Sequence, residues 1–314
     1  MFGKLTTCLS IFAPVSLALS VQMASAANST TNMNLDPDQS SSSIKMPRAK
    51  SKKYDELNEI TDAELRAKAG SRSKYSISGE LSYYGSEISD PFREDTPNPD
   101  NNPGLHKTSM NGSLFGRYRI DKQATLGFGT GVSMLTPFHG VERFDMKDPR
   151  ISYDVIYKTQ SGIQAVTSTS LTYVTNPDYV EIGEIAGIGF YQAAKYRVGR
   201  WTWGASLSAS AYYYDRGYQK SDGNAANYFL TLSPSFNYKF NDNVRFKTSF
   251  SRGIRNLRKA NDWGAWDNRA ATGKVGLGIS VSKDVYLNPY LYFYPESFSW
   301  ENTSLSFSTI FSIL

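Results

Sequence analysis

From Lys74 onward, apolar and polar side chains alternate with a period of two, the signature of a strand whose two faces meet different surroundings. Tyr75, Ile77, Gly79, Leu81 and Tyr83 interleave with Ser76, Ser78, Glu80 and Ser82. Met110, Gly112, Leu114, Gly116, Tyr118 and Ile120 alternate with Asn111, Ser113, Phe115, Arg117 and Arg119. Leu126, Phe128, Val132 and Met134 alternate with Gly127, Gly129, Gly131 and Ser133, and Ile151, Tyr153, Val155 and Tyr157 with Ser152, Asp154 and Lys158. Phe236, Tyr238 and Phe240 take every second place before Asn241-Asp242-Asn243, after which Val244, Phe246 and Phe250 resume the beat. Because Asn and Asp clusters make tight turns, this stretch reads as a hairpin with an aromatic face and, through Lys239, Arg245 and Lys247, a cationic one. Further runs begin near Ile163, Ile185, Trp201, Tyr228, Ala270, Val285 and Thr303. The pattern predicts about twelve strands of roughly ten residues.

The links between runs alternate in length. Short turns fall at 121–123, 159–162, 198–200, 241–243 and 282–284, and longer links at about 86–107, 136–150, 175–184, 215–227, 254–269 and 295–302. A soluble sandwich has irregular Greek-key links. Here nearly every strand keeps one apolar face with no helical pattern to cover it, so lipid is the expected cover. About ten residues is also what a tilted strand needs to cross the apolar layer of a bilayer. Pro234 and Pro289 fall inside proposed strands, where bulges or strand boundaries are expected.

Over about residues 74–314 the chain resembles the outer-membrane β-barrel proteins of Gram-negative bacteria, the porin-like class. The likeness is one of pattern and extends to the final run TSLSFSTIFSIL, where Leu305, Phe307, Phe311 and Ile313 keep the beat. It implies an all-β fold, a transmembrane antiparallel up-and-down β-barrel of about 12 strands, with a short polar N-terminal segment. It also implies residence in the bacterial outer membrane, with outer-membrane lipid, lipopolysaccharide and the barrel insertion machinery as partners.

If the aromatic phase meets lipid, the opposite phase points inward, since charge facing lipid near the midplane is costly. That phase carries Arg117, Arg119, Lys158, Lys195, Arg197, Lys239, Arg245, Lys247 and Lys274, against Glu80 and Asp154. All but Lys274 lie close to a short turn. Such crowding calls for water in an open pore, a bound anion, or an acidic plug, for which Asp55, Glu56, Glu59, Asp62 and Glu64 are candidates. The first two describe a channel for passive diffusion of small anionic solutes through a basic lumen. About twelve strands make a narrow pore, with Ser206, Ser208 and Ser210 among its small lining residues and Tyr286, Tyr290, Tyr292 and Tyr294 filling space. The rival is a non-conducting structural or surface-recognition barrel whose outer loops bind envelope glycans or a partner. For that role Arg255, Arg258, Lys259 and Arg269 with Trp263 and Trp266 suit glycan or phosphate groups. A polypeptide translocator is a third reading, disfavoured by the short stretch before the first strand.

The N-terminus refines the compartment. Lys4, an apolar stretch from about Leu9 to Val21 and Ala24-Ser25-Ala26 form a signal-peptide pattern over residues 1–26. The single cysteine, Cys8, lies within it, so disulfides, zinc–thiolate sites and cysteine nucleophiles are excluded from the mature chain. Residues 27–73 are polar and expected in the periplasm, ahead of the barrel at 74–314. Thr61-Asp62-Ala63-Glu64 has capping-box form and predicts one short helix, about Asp62 to Ala69. The net charge of +5 is too small and too dispersed for nucleic-acid binding, and no apolar run suffices for a transmembrane helix. GFGTG at 127–131 lacks the helix and later acid of a nucleotide fingerprint. His106 and His139 stand apart in outer loops. No enzyme activity, metal or cofactor is expected.

Overall fold

In the computed structural model, which describes residues 60–69, 73–99, 106–215, 225–258, 266–282 and 284–313, each run of alternation is a strand. The strands are β1 Tyr75–Tyr84, β2 Ser109–Arg119, β3 Ala124–Leu135, β4 Arg143–Lys158, β5 Gln164–Tyr173 and β6 Glu184–Val198. They continue as β7 Trp201–Tyr214, β8 Ala226–Lys239, β9 Val244–Leu257, a β10 in two parts (Trp266–Asn268 and Thr272–Ser280), β11 Val285–Phe293 and β12 Ser304–Ile313. Among the described residues two α-helices accompany them, α1 Ala63–Ala69 and α2 Pro177–Glu181. The expected leader at 1–26, the polar stretch as far as residue 59 with Asp55, Glu56 and Glu59, and the loop residues Lys259 and Trp263 lie outside the described residues.

Each strand pairs antiparallel with the next, and β12 returns to β1 with Ile313 opposite Ile77 and Phe307 opposite Tyr83. The sheet is therefore a closed, up-and-down barrel of twelve strands. Asparagine and aspartate set the short turns. Asp121 Oδ1 accepts from the backbone N–H groups of Gln123 and Ala124, both at 2.7 Å, and Asn241 Oδ1 from those of Asn243 and Val244 at 2.9 and 2.8 Å. Gly162 and Gly199, at φ +87° and +59°, supply the left-handed backbone that two other short turns require.

The two faces invert the pattern of a soluble protein. Phe128 is 66% exposed and Trp203 58%, while Asp154 retains 5% of its surface. Trp201, Trp203, Phe236 and Tyr238 stack on the outer wall beside a short turn, with ring centroids 4.3 to 5.0 Å apart, as an interfacial aromatic girdle does. At about 3.4 Å per residue and a tilt near 40°, a ten-residue strand such as β1 rises about 25 Å, the height of the apolar band of a transmembrane barrel.

Three expectations need correction. The link expected at 136–150 ends by residue 142, because Arg143 to Lys147 continue the ladder opposite Leu135 to Gly131, with Phe144 and Met146 keeping the exposed phase. The register shifts between Gly129 and Gly131, where Asp148 takes φ +56°. The link expected at 254–269 is likewise shorter, since β9 runs to Leu257 and pairs with Trp266–Asn268. The prolines, finally, cause no bulge. Register is identical on both sides of Pro234 and of Pro289, and the ladder merely skips a few pairs on one flank: between Leu232–Arg252 and Ser235–Ser249 for the first, between Ile279–Leu287 and Gly276–Tyr290 for the second. A missing N–H concerns only one neighbouring strand.

The inversion makes a measurable prediction. Leu232→Arg, on the outer face in mid-strand, should cost about 2–4 kcal/mol in denaturant unfolding from lipid vesicles, and Phe240→Arg, beside a short turn, about 0–1 kcal/mol. Equal costs at the two positions would contradict a lipid-facing outer wall.

Candidate functional site: a carboxylate-bearing helix among the lumen cations

Helix α1 lies against the lumen-facing side chains of the short-turn half of the barrel. Asp62 begins it, its Oδ1 accepting from Leu65 N–H at 3.1 Å and its carbonyl from Arg66 N–H at 2.9 Å. The expected capping box gives way to a cap supplied by the barrel. Gln164 of β5 accepts from the N–H groups of Thr61 and Asp62 at 2.8 and 2.9 Å and donates to Thr61 Oγ1 at 3.0 Å.

The helix is too short to stand alone, and its side chains show what holds it. Leu65 is 1% exposed and packs with Ile156, Val166 and Ala193. Burying a leucine this completely contributes about 1.5–3 kcal/mol. Ala63 and Ala67, one turn apart, rest against Tyr286 and Ile310.

The remaining faces are ionic. Lys195 Nζ lies 2.8 Å from both Asp62 Oδ1 and Glu64 Oε2. Arg245 reaches Asp62 Oδ2 at 2.7 Å and Lys247 reaches Glu64 Oε2 at 2.8 Å. Charges therefore alternate along one chain, Arg245–Asp62–Lys195–Glu64–Lys247. At the other helix end Arg117 donates to the Lys68 carbonyl, a cation where the helix dipole favours one, and pairs with Asp154 at 3.0 Å. Lys68 Nζ is 4.0 Å from Glu80. Burial works against ionisation of Asp62, but the adjacent Lys195 and Arg245 outweigh it and hold the carboxyl at about 2. Burial likewise opposes ionisation of Glu64, and Lys195 and Lys247 keep it well below its ordinary value.

Of the nine lumen cations read from sequence, Arg117, Lys195, Arg245 and Lys247 thus meet α1. Lys274 lies over the Tyr290 ring, 4.7 Å from its centroid. The others gather at the rim: Arg197 donates to the Gly199 carbonyl at 2.9 Å and Arg119 to that of Lys122 at 3.4 Å, Lys239 pairs with Asp242, and Lys158 is half-buried opposite Gln164. The glycines at 127 and 129 make room for Phe115, whose ring a Cβ at either position would meet within 3.2 Å, and Arg150 covers that ring at 4.9 Å. The outer-loop cations turn onto the wall: Arg255 pairs with Asp267 at 2.8 Å and Arg258 stacks on Tyr214 at 4.2 Å. Arg255 and Arg269 line an outer cavity of about 500 Å³, and Trp266 is exposed.

Sequence reasoning missed Leu65, Ile156, Gln164, Arg150 and Asn237. Ile156 carried a readable signal, as the one aliphatic side chain in the polar phase Ser152, Asp154, Lys158. Helix α1 also divides the lumen. A cavity of about 430 Å³ lies on its short-turn side, and two of about 380 and 220 Å³ lie beyond it. Among the described residues, Lys195 alone lines both sides.

Fold and site together define a transmembrane up-and-down barrel with an internal helix. No family model matches the chain, and no curated protein sequence is similar to it. Among solved structures, an outer membrane channel from Pseudomonas putida F1 shares 11% identity over 78% of this chain and 97% of its own, with a TM-score of 0.48. The NanC porin shares 8% over 76% and 98% (TM-score 0.39), and LpxR from Salmonella typhimurium 8% over 76% and 99% (TM-score 0.38). These likenesses concern barrel architecture alone.

The seat has a defined pH dependence. Because the pKa of seated Asp62 is depressed to about 2 from 3.8, its stabilisation of about 2 kcal/mol is present above pH 3.8 and lost as pH falls through 2. A nitroxide on R66C should stay immobilised from about pH 8 to 5 and become mobile between about pH 4 and 2. Release near neutral pH, or none by pH 2, would contradict the ionic seat.

Proposed function

We propose that the protein is an outer-membrane channel for small, predominantly anionic solutes, held closed in this state by its own helix α1. The observation that carries this reading is the bonding of Asp62 and Glu64 to Lys195, Arg245 and Lys247 inside the barrel. A wall that concentrates cations at one level of a lumen attracts anions there, and the anions it holds belong to the chain itself. Placement in the outer membrane is supported by the apolar outer face and by strand height. Both strand ends of the barrel lie on the short-turn side, which faces the periplasm in bacterial barrels of this kind.

The competing reading, a barrel that never conducts and acts through its outer loops, draws support from the complete burial of Leu65 and from the inward turn of Arg255 and Arg258. Planar-bilayer recording under a salt gradient separates the two. The wild-type chain should show rare, small steps. D62N/E64Q should raise open time at least about tenfold, the effect of losing about 1.4 kcal/mol or more of seat stability, and deletion of residues 60–69 should abolish the closure, both with an anion-biased reversal potential. Adding K195Q, R245Q and K247Q to the deletion should move that potential toward cations. Silence from every variant would favour the non-conducting barrel.

A further inference from the structure

The cavity on the short-turn side of α1 has the composition of a ligand site. Five cationic side chains line it, Arg66, Lys195, Arg197, Lys239 and Arg245, against two carboxylates, Asp62 and Asp242. Asn237 projects from the lumen phase of β8 into the same lining. It is 2% exposed, and among the described residues neither its Oδ1 nor its Nδ2 has a hydrogen-bond partner, nor does the buried Nε–H of Arg66 have an acceptor. A buried polar group left unpaired is costly, so these atoms define the chemistry of a ligand that would fit. Arg66 and the Asn237 amide need acceptor oxygens, and Asn237 Oδ1 needs a donor.

We propose that this cavity is a binding site for a small oxyanion that carries a hydroxyl, the chemistry of hydrogen phosphate, entering from the short-turn end. Its charged oxygens face Arg245, Arg197 and Arg66, whose planar forks suit tetrahedral oxyanions. Its P–OH donates to Asn237 Oδ1 and another oxygen accepts from Nδ2. Sulfate offers the same charge and shape but no hydroxyl at neutral pH. Occupancy also bears on α1. Arg245 and Lys195, which line the cavity, are the two cations that hold Asp62. An oxyanion drawing on both weakens their hold on Asp62, keeping only Arg66 as a contact with the helix, and by reciprocity the seated carboxylate weakens the oxyanion. The site thus gives the closed channel an opener, and for that role it rests on the channel reading, although binding itself needs no conduction.

The test is calorimetric titration of the full-length chain in detergent with inorganic phosphate, and with sulfate at matched ionic strength. Phosphate should bind at least about tenfold more tightly than sulfate, the worth of one or two hydrogen bonds. N237L should erase that preference, and R197Q should weaken both anions by about tenfold, each variant being checked for heat-modifiable migration as a folded barrel. D62N/E64Q should tighten phosphate by about tenfold, since the competing carboxylates are gone. Saturating phosphate should speed hydrogen exchange of the α1 amides by a similar factor, read by mass spectrometry. Equal affinity for the two anions, an N237L chain that keeps the preference, or affinity and exchange that ignore each other would overturn the proposal. Phosphate binding with all these features in a chain that is silent in bilayers would remove the channel reading and leave this site standing.

Discussion

The constraint on which the molecule depends is the charge balance at one level of its lumen. Closing a twelve-stranded sheet with its apolar phase outward sends Lys195, Arg245 and Lys247 inward together, a few ångströms from one another's counterions. Three cations in a confined space of low polarity require anions, because an uncompensated buried charge costs several kcal/mol. Asp62 and Glu64 meet that requirement as an alternating chain, in which each carboxylate lies between two cations and Lys195 between two carboxylates. Removing Asp62, Lys195 or Glu64 leaves two like charges facing each other, and removing Arg245 or Lys247 leaves a carboxylate with a single partner, so the five groups act as a unit. The position of α1, the division of the lumen and the cationic lining of the cavity beneath the helix all follow from it.

The barrel was legible in the sequence because its two determinants are local. A period of two and the alternation of short and long links require no knowledge of what packs where. The runs placed by starting residue, such as those at Trp201, Val244 and Val285, begin within two residues of a strand segment. The inward phase followed directly from so aromatic an outward phase, and Arg117, Lys195, Arg245 and Lys247, which it carries, are residues that meet α1. The helix itself was also visible, but its site was not. Seven residues with a single large apolar side chain look like a solvated segment. The groups that seat it, namely Gln164, Ile156, Val166, Ala193 and Tyr286, come from strands about a hundred or more residues further along the chain. Only closure of the sheet brings them to one level. Asn237 was invisible for a related reason, since its lack of a partner is a property of the assembled cavity.

The two prolines show the same division between local and assembled physics. Read on one strand, each breaks a ladder. In the closed sheet each strand has two neighbours, and Pro234 and Pro289 keep their pairing with one while skipping pairs with the other. Both sit in the outward phase, where a compact apolar ring is at home against lipid.

How the helix is held determines what can release it. Leu65 contributes an apolar term of about 1.5–3 kcal/mol that no small ion alters. The ionic term is buried, and screening by bulk salt is weak for buried pairs, so moderate changes in ionic strength reach it poorly. An anion that enters the cavity beneath α1 differs from bulk salt in kind. It competes with Asp62 for Arg245 and Lys195 at contact distance, where bulk salt does not screen, and it leaves the leucine term unchanged. A lumen built in this way is insensitive to the ionic background and, on the proposed reading, responsive to occupancy of one site, because Lys195 and Arg245, which hold Asp62, also line that cavity.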